Sequence, residues 1–335
     1  MRIWKFTKYG KASEVLKEFN EPKPQAQAGE VLVKLQSASI NPVDYKIIQG
    51  KFKMVQRRPL PSAIGYDFAG EIIELGSGVV GYEIGDKIFG CLPANRLGTI
   101  SEFFIATDRC FAKLPRSSDL DLYAPLPLAG MTALQCFWEA KLNKGDKVLI
   151  HAGSGGVGSL AIQIAKAMNY NVTTTTSSKN SIWVKELGAD RVICYDKEDY
   201  KELSNEFDMV LDSLGGQYGF DAAIVLKKGG VLVNIAGGID ENAAKRLGVP
   251  GFIRWLIKLQ RRKLRKHLAK KDISYRYVLM QTNEKDLTAL RTLVEQGKLK
   301  AVVEEKYSWE QAPEAFAHLM TSRTKGKLLI SSANY

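Results

Sequence analysis

The chain has 335 residues, of which 45% are hydrophobic and 25% charged, which is typical of a globular protein and long enough for two domains. Its net charge is +12, but eleven positive charges lie between Lys245 and Lys271, where there is no acid. The rest of the chain is therefore nearly neutral, which excludes a protein that is basic throughout, as a general nucleic-acid binder would be.

Other features of the composition limit the compartment. No apolar run reaches the roughly 18 residues of a membrane span, and residues 1–10 lack the apolar core of a secretory signal. The cysteines are far apart and form no C-x-x-C pair; they are Cys91, Cys110, Cys136 and Cys194. This spacing argues against a disulfide framework and a cysteine-rich zinc lobe. We expect a reducing, cytoplasmic compartment.

Short strand-like runs separated by glycine and proline turns fill the N-terminal third. They include residues 30–35 and 68–76, and their pattern predicts an antiparallel, partly open β-barrel. From about Tyr123, strands alternate with helices, which predicts a parallel sheet covered on both faces. The predicted strands of this region are 148–151, 171–176, 191–194, 207–212, 231–235 and 275–280. After Gly297 the chain is expected to return to the first domain and to end in a strand at 327–330.

A glycine-rich turn follows the first of these parallel strands. Gly153, Gly155 and Gly158 have the spacing G-x-G-x-x-G, and an apolar helix pattern follows them. This order of strand, turn and helix is typical of a dinucleotide pyrophosphate site. The glycines permit a tight turn, close approach of phosphate and close helix packing, and the helix N-terminus attracts the anion. The pattern predicts a nicotinamide-dependent oxidoreductase.

The residues after the second parallel strand bear on which nicotinamide cofactor is used. In an NAD site, an acid about 20 residues after the turn binds the ribose 2′-OH. Here Ser177, Ser178 and Lys179 occupy that region, and the next acid is Glu186. Hydroxyls and an ammonium suit a 2′-phosphate, so we predict NADPH. The serines are also good helix N-caps, and the two roles are compatible.

The basic segment 251–271 has the pattern of an amphipathic helix. Its apolar side would consist of Phe252, Trp255, Leu256, Leu259, Leu264 and Leu268. That side can pack on its own protein or on a twin subunit. The helix can also lie on an anionic membrane surface or contact RNA or another acidic partner, although no specific nucleic acid is expected.

Several short motifs together resemble those of one enzyme family. They are 38–46 (ASINPVDYK), 65–70 (GYDFAG), 79–90 with its GDKIFG ending, 127–133 (PLAGMTA), 187–190 (LGAD) and 326–328 (GKL). With the glycine turn, they make the whole chain similar to the zinc-independent quinone oxidoreductases of the medium-chain dehydrogenase/reductase superfamily, in its enoyl-reductase-like branch.

The resemblance implies an α/β fold with two domains. A GroES-like, partly open β-barrel catalytic domain would contain residues 1–122 and 299–335. A Rossmann domain with a doubly wound parallel sheet would contain residues 123–298, with a basic insertion at about 240–272. The edge strands at 275–280 would pair in a homodimer.

The resemblance also bears on metal binding. Zinc-dependent relatives carry a G-H-E motif where this chain has Gly65, Tyr66 and Asp67, and a cysteine ligand in the region of Asn41. Without that histidine and thiolate, a catalytic zinc would have too few ligands, so no metal is expected. His151 ends a predicted strand, and we expect it to be packed and hydrogen-bonded rather than catalytic.

The resemblance further implies roles for individual residues. Asn41, Asp44 and Tyr45 would line the site beside the nicotinamide, with Tyr45 as the polar contact or proton donor. A residue packed under the barrel is an equal alternative for Tyr45, and Asn41 is more often a positioning residue. The predicted cofactor-binding residues are Thr132, Gly153, Ser154, Gly155, Gly156, Val157, Gly158, Ser177, Ser178, Lys179, Tyr195, Ser213, Ala236, Gly237 and Lys327. For Lys327 the alternative is an exposed lysine before a strand.

We therefore expect hydride transfer from NADPH to a quinone or to the C=C bond of an α,β-unsaturated carbonyl. Hydrogen-bond donors can stabilise the charge that develops on the conjugated oxygen of such acceptors, without a Lewis acid. The alternative is a cofactor-binding scaffold, or a protein associated with a membrane or nucleic acid through the basic helix at 251–271. The expected location is cytoplasmic, with peripheral contact to an anionic membrane left open.

Overall fold

Two units make up the chain in the computed structural model, which describes residues 1–53, 58–236 and 239–332. The first unit contains Met1–Met131 and Gln281–Tyr335, and the second contains Thr132–Met280. Among the described residues, no helix combines the length and the apolar character that crossing a bilayer requires.

The strands are β1 (Arg2–Phe6), β2 (Leu16–Asn20), β3 (Glu30–Ile40), β4 (Ser62–Ala63), β5 (Asp67–Leu75), β6 (Lys87–Cys91), β7 (Phe103–Thr107), β8 (Phe111–Lys113), β9 (Lys147–Ile150), β10 (Asn171–Thr176), β11 (Arg191–Cys194), β12 (Phe207–Asp212), β13 (Leu226–Asn234), β14 (Ser274–Tyr277), β15 (Val303–Tyr307) and β16 (Lys327–Ser331). The helices are α1 (Ala12–Val15), α2 (Pro42–Ile48), α3 (Leu120–Tyr123), α4 (Pro127–Ala140), α5 (Gly156–Ala167), α6 (Ser181–Glu186), α7 (Gln217–Val225), α8 (Glu241–Arg246), α9 (Gly251–Ala269), α10 (Glu284–Glu295) and α11 (Ala312–Met320).

The first unit is the predicted GroES-like, partly open barrel. Its main sheet has the strand order β15-β16-β3-β5-β6-β8, with β7 also paired to β3. All of these pairs are antiparallel except that of β15 with β16. A smaller sheet has the order β2-β1-β4. Apolar side chains of its strands, such as Leu32, Phe68 and Phe89, are fully buried and form the core of this unit.

The second unit is the predicted Rossmann sheet. Six strands lie in the order β11-β10-β9-β12-β13-β14, and every pair is parallel. The carboxyl ends of all six strands therefore lie at one edge, and the order reverses between β9 and β12, where such sheets bind ligands. The predicted strands agree closely with these bounds, except that the fifth begins at Leu226 rather than at 231 and the sixth is Ser274–Tyr277 rather than 275–280.

The observed division of the chain differs from the sequence-based boundaries in two places, since residues 123–131 and 281–298 both lie in the first unit. The sequence placed residues up to 298 with the nucleotide-binding domain, whereas the structure places the chain from Gln281 onward in the first unit. There the Leu290 side chain packs against Gly130, which has no room for a Cβ atom. The Arg291 guanidinium donates to the Lys113 carbonyl at 2.6 Å. These contacts hold α10 against the barrel.

Helix α9 is packed at one end only. Its C-terminal residues Leu264 and Leu268 are buried in the core of the second unit. Phe252, Trp255 and Leu256 in its N-terminal half are exposed. Of the alternatives for the apolar side, packing of its whole length on its own protein is excluded for the N-terminal half, and packing on a twin subunit or contact with an acidic surface stays a prediction.

Candidate active site

The predicted glycine turn joins β9 to α5. A Cβ atom at Gly158 would lie 2.2 Å from the Ala152 carbonyl oxygen, and one at Gly153 would lie 2.2 Å from the Thr174 hydroxyl oxygen. At Gly155 the nearest atom would be 3.4 Å away, which is ordinary contact distance. Gly158 thus allows α5 to approach the end of β9 closely, Gly153 allows the turn to lie against β10, and protein atoms leave room for a Cβ atom at Gly155. This cradle fits a pyrophosphate group.

The charge of the turn also suits an anion. Helix α5 begins at Gly156 and has no acid in its first turn. The amides of Gly156, Val157 and Gly158 begin the helix, where N–H groups lack intrahelical acceptors and the helix dipole is positive. Ser154 lies in the turn itself, so the predicted phosphate-binding residues are brought together.

Two more predicted cofactor residues lie at the same edge of the sheet. Ser213 follows β12, and its hydroxyl donates to the His151 carbonyl at 3.0 Å. Ala236 follows β13, and its amide donates to the Asn234 side chain at 3.1 Å. Gly237 lies outside the described residues. Thr132 is buried in α4.

The predicted adenosine end contains an acid that the sequence analysis missed. Ser177, Ser178 and Lys179 follow β10, and Tyr195, which is 64% exposed, follows β11. The Ser178 amide and hydroxyl both donate to the carboxylate of Asp196, at 2.8 and 2.5 Å. Hydrogen bonding from Ser178 lowers the pKa of Asp196. A negative charge therefore lies beside the predicted 2′-phosphate position.

A buried polar cluster lies in the first unit, formed by Asn41, Asp67 and Lys327. The Asn41 side-chain amide donates to Asp67 Oδ2 at 2.8 Å, and the Lys327 ammonium donates to Asn41 Oδ1. The same ammonium lies 3.3 Å from Asp67 Oδ2. Lys327 is 4% exposed, so the alternative of an exposed lysine is wrong. Its ammonium is engaged within the first unit, and its role toward the cofactor stays a prediction.

Asp44 joins this cluster from α2. Its Oδ2 accepts the Asn41 backbone amide at 2.7 Å, as part of a capping box that starts the helix. Its Oδ1 has no partner among the described residues. Complete burial raises the pKa of Asp44 to about 8, and the nearby Asp67 carboxylate contributes to the rise. Asp44 thus starts α2 and orients Asn41 from a position closed to solvent.

Tyr45 is more accessible to solvent than Asp44. It is half-buried on α2, and no hydrogen-bond partner for its hydroxyl is found within 1–53, 58–236 and 239–332. Tyr66 stands where the G-H-E motif of zinc-dependent relatives has its histidine. It is buried, and burial raises the pKa of its hydroxyl. Of the three candidate catalytic residues, Tyr45 alone is partly open to solvent.

The donor set around Asp67 does not fit zinc. Asp67 Oδ1 accepts the Leu128 amide at 2.8 Å, and Oδ2 accepts from Asn41 and Lys327. Both carboxylate oxygens thus already hold protein donors, and a cation adjoins one of them. Within the part of the chain that is described, no three His, Cys, Asp or Glu side chains form a metal-binding group.

His151 is packed and hydrogen-bonded, as predicted. It is fully buried, its Nδ1 lies 3.3 Å from the Thr175 hydroxyl, and its ring contacts those of Tyr200 and Tyr218. Burial lowers its pKa to about 4, so the imidazole is neutral at physiological pH.

Asp44→Asn tests the buried carboxyl through the pH dependence of stability. Because the folded-state pKa of Asp44 is raised, its stabilising contribution is complete below the ordinary value of 3.8 and is lost as pH rises through about 8. Asparagine preserves the cap but does not titrate. We expect the free energy of unfolding, measured in urea, to fall less steeply from about pH 5 to pH 8 in the variant.

The slope of unfolding free energy against pH should differ between the native chain and Asp44→Asn by at most about 1.4 kcal/mol per pH unit. Asp119→Asn, which changes the exposed cap of α3, should shift stability by a similar amount at every pH. Equal slopes for Asp44→Asn and the native chain would contradict the prediction.

Comparison with known proteins identifies the family. Two family models match, an alcohol dehydrogenase GroES-like domain over residues 27–116 and a zinc-binding dehydrogenase over residues 187–330. The 2-methylene-furan-3-one reductase of Solanum lycopersicum is 33% identical over 98% of this chain and 79% of its own length. The chloroplastic NADPH-dependent alkenal/one oxidoreductase of Arabidopsis thaliana is 31% identical with the same coverage.

A solved structure supports the same relationship. The quinone oxidoreductase from Coxiella burnetii is 32% identical, covers 99% of both chains and superposes with a TM-score of 0.86. Sequence motifs, both domain folds and full-length relatives agree. The chain belongs to the zinc-independent quinone oxidoreductase and enoyl-reductase-like branch of the medium-chain dehydrogenase/reductase superfamily.

Proposed function

We propose that this protein is an NADPH-dependent reductase that transfers hydride to a quinone or to the C=C bond of an α,β-unsaturated carbonyl. The observation that carries the proposal is the β9–α5 turn, where Gly153 and Gly158 leave no room for a Cβ atom and the helix start has no acids. Relatives named as NADPH-dependent alkenal/one and quinone oxidoreductases support the cofactor and the acceptor class.

The second unit supplies the residues that would hold NADPH. Residues 153–158 would bind the pyrophosphate, and Ser177, Ser178 and Lys179 would meet the 2′-phosphate, bordered by Tyr195. Ser213 and Ala236, at the ends of β12 and β13, would face the nicotinamide half. When bound, NADPH supplies the hydride.

The first unit supplies the groups for the acceptor. The acceptor gains hydride at a quinone ring position or at the β-carbon of the enone, and its oxygen then carries negative charge. We assign the Tyr45 hydroxyl as the donor that stabilises this oxygen or delivers the proton, with water as the alternative source. Asn41 and Asp44 act as positioning residues, since Asp44 is closed to solvent and Asn41 is bound to Asp67 and Lys327.

NADPH oxidation should depend on a conjugated acceptor. In a panel of a quinone, an enal, an enone, an enoyl thioester and a saturated ketone, we expect turnover with at least one conjugated compound and none with the ketone. NADPH should be more effective than NADH. Binding of NADPH without reduction of any acceptor would favour the scaffold alternative. NADH at least as effective as NADPH would contradict the cofactor assignment.

Tyr45→Phe isolates the hydroxyl in the same assay. We expect kcat to fall about tenfold or more, because water replaces a positioned donor, while the Kd for NADPH stays unchanged. An unchanged kcat would assign Tyr45 to packing alone.

We also propose a homodimer formed through β14. Within the described residues β14 pairs only with β13, so its outer edge has free backbone groups. The Val278 amide donates to the Asn234 carbonyl on β13. The N–H and C=O of Tyr277 therefore point to the open edge, where a second copy can pair.

Sedimentation equilibrium at micromolar concentration should give the mass of a dimer. Tyr277→Pro removes one N–H from the open edge and should shift the mass toward the monomer. Thermal melting and NADPH binding of this variant show whether its fold is retained. A monomeric native chain would overturn the proposal.

We further propose that α9 brings this protein, in a reducing, cytoplasmic compartment, to an anionic membrane surface. Trp255 is 60% exposed, and Phe252, Leu256 and Leu259 are exposed on the same half-helix. Lys258, Arg262 and Lys263 are exposed beside them, and α9 contains no acid. Aromatic and aliphatic side chains flanked by cations are typical of helices that lie in a lipid interface.

Co-sedimentation with vesicles tests this contact. We expect binding to vesicles that contain phosphatidylglycerol, little binding to pure phosphatidylcholine, and loss of binding in the double variant Phe252→Ser, Trp255→Ser. Trp138→Ser, which changes an exposed tryptophan outside α9, is the matched control and should bind normally. Equal sedimentation of both variants, or retention by duplex DNA in place of vesicles, would contradict the proposal.

A further inference from the structure

The ends of β10 and β11 place a serine and an acid opposite each other. These strands pair in parallel, with Thr176 opposite Cys194. Two residues beyond this pair, the Ser178 amide and hydroxyl donate to Asp196 Oδ1 and Oδ2, at 2.8 and 2.5 Å. Both polar donors of Ser178 are therefore engaged by one carboxylate.

Asp196 is exposed and carries its charge at neutral pH. Hydrogen bonds from Ser178 lower the pKa of its carboxyl group. Among the described residues, it forms no ion pair with a nitrogen within 4.0 Å of its carboxylate oxygens. The charge of Lys197 nevertheless interacts favourably with it. Lys179 on the neighbouring loop is exposed as well. The Asp196 carboxylate and the Lys179 ammonium are thus both accessible to an incoming nucleotide.

The position of this pair matters because the loop after the second Rossmann strand contacts the adenosine ribose. A 2′-phosphate attracts Lys179 and needs donors such as those of Ser178. The Asp196 carboxylate occupies those donors and repels a phosphate dianion. A ribose 2′-hydroxyl, by contrast, can donate to a carboxylate at little cost.

We propose that Asp196 is a specificity-determining residue that weakens binding of the 2′-phosphate and so limits the preference of this protein for NADPH over NADH. The inference rests on the proposed function, since it requires a nicotinamide dinucleotide at the β9–α5 turn. Ser178 and Lys179 favour binding of the 2′-phosphate, whereas Asp196 would weaken it. NADPH and NADH differ only in the 2′-phosphate of the adenosine ribose. A charge at Asp196 should therefore change the binding of NADPH and not that of NADH.

Asp196→Asn removes the charge and keeps the size of the side chain. We expect the full-length variant to bind NADPH and 2′,5′-ADP about tenfold more tightly than the native chain, in fluorescence or calorimetric titrations. The Kd for NADH should change about twofold or less. Asp199→Asn makes the same change of charge three positions along, where the carboxylate accepts the Lys201 amide, and should leave all three constants unchanged.

Higher salt provides a second readout. The gain in 2′,5′-ADP affinity on Asp196→Asn should shrink as ionic strength rises, because screening weakens repulsion between exposed charges. Unchanged or weaker NADPH binding by Asp196→Asn would overturn the inference, since Asp196 would then only order the Ser178 loop. An equal gain in Asp199→Asn would also overturn it. A native chain that binds neither dinucleotide would instead overturn the proposed function.

Discussion

The close approach of α5 to the end of β9 is the constraint on which the nucleotide-binding unit depends. A Cβ atom at Gly158 would lie 2.2 Å from the Ala152 carbonyl oxygen, so a larger residue would push the helix away from the strand. That displacement would move the first-turn amides, which are the groups that bind an anion. The parallel order of the sheet then brings the ends of β12 and β13 beside them. The small size of Gly158 is therefore required both for helix packing and for the position of the amides that an anion would meet.

A different principle organises the first unit. Asn41, Asp44, Asp67 and Lys327 are all buried, and each is held by another member of the group or by the backbone. Burying an ion pair costs desolvation energy, which further hydrogen bonds to Asn41 and the Leu128 amide offset. The result is a connected polar cluster at the start of α2, the helix that carries the half-buried Tyr45. If Tyr45 acts as proposed, this cluster fixes the start of the helix on which it lies.

Local patterns in the sequence predict much of this arrangement. Buried parallel strands are often continuous apolar runs, as at Val148 and Leu149. The glycine spacing is also a local pattern, which can be recognised without knowing which residues it contacts. Residues joined across strands are harder to predict. The spacing rule for the ribose acid points to the loop after β10, whereas Asp196 follows the neighbouring strand β11. Strand pairing, which brings it to Ser178, is a long-range property.

The same limit applies to α9 and α10. The spacing of Leu264 and Leu268 matches that of Phe252 and Leu256, but only the first pair contacts the core. The boundary at 298 was misplaced because α10 packs on Gly130 and Lys113, residues more than 150 positions earlier in the chain. Periodicity identifies an apolar face without identifying what covers it.

The pairing of β3 with β16 has a consequence for synthesis of the chain. Strand β3 lies inside the main sheet of the first unit, yet one of its neighbours is the last strand, Lys327–Ser331. The ribosome completes all six strands of the second unit before that neighbour exists. Until then β3 has an incomplete set of partners, and Asp67 has no buried ammonium to balance its charge. The inserted unit can mature while its host is still unfinished. A chain truncated before β16 would keep the pairs of β3 with β5 and β7 but would expose the part of β3 that β16 otherwise covers.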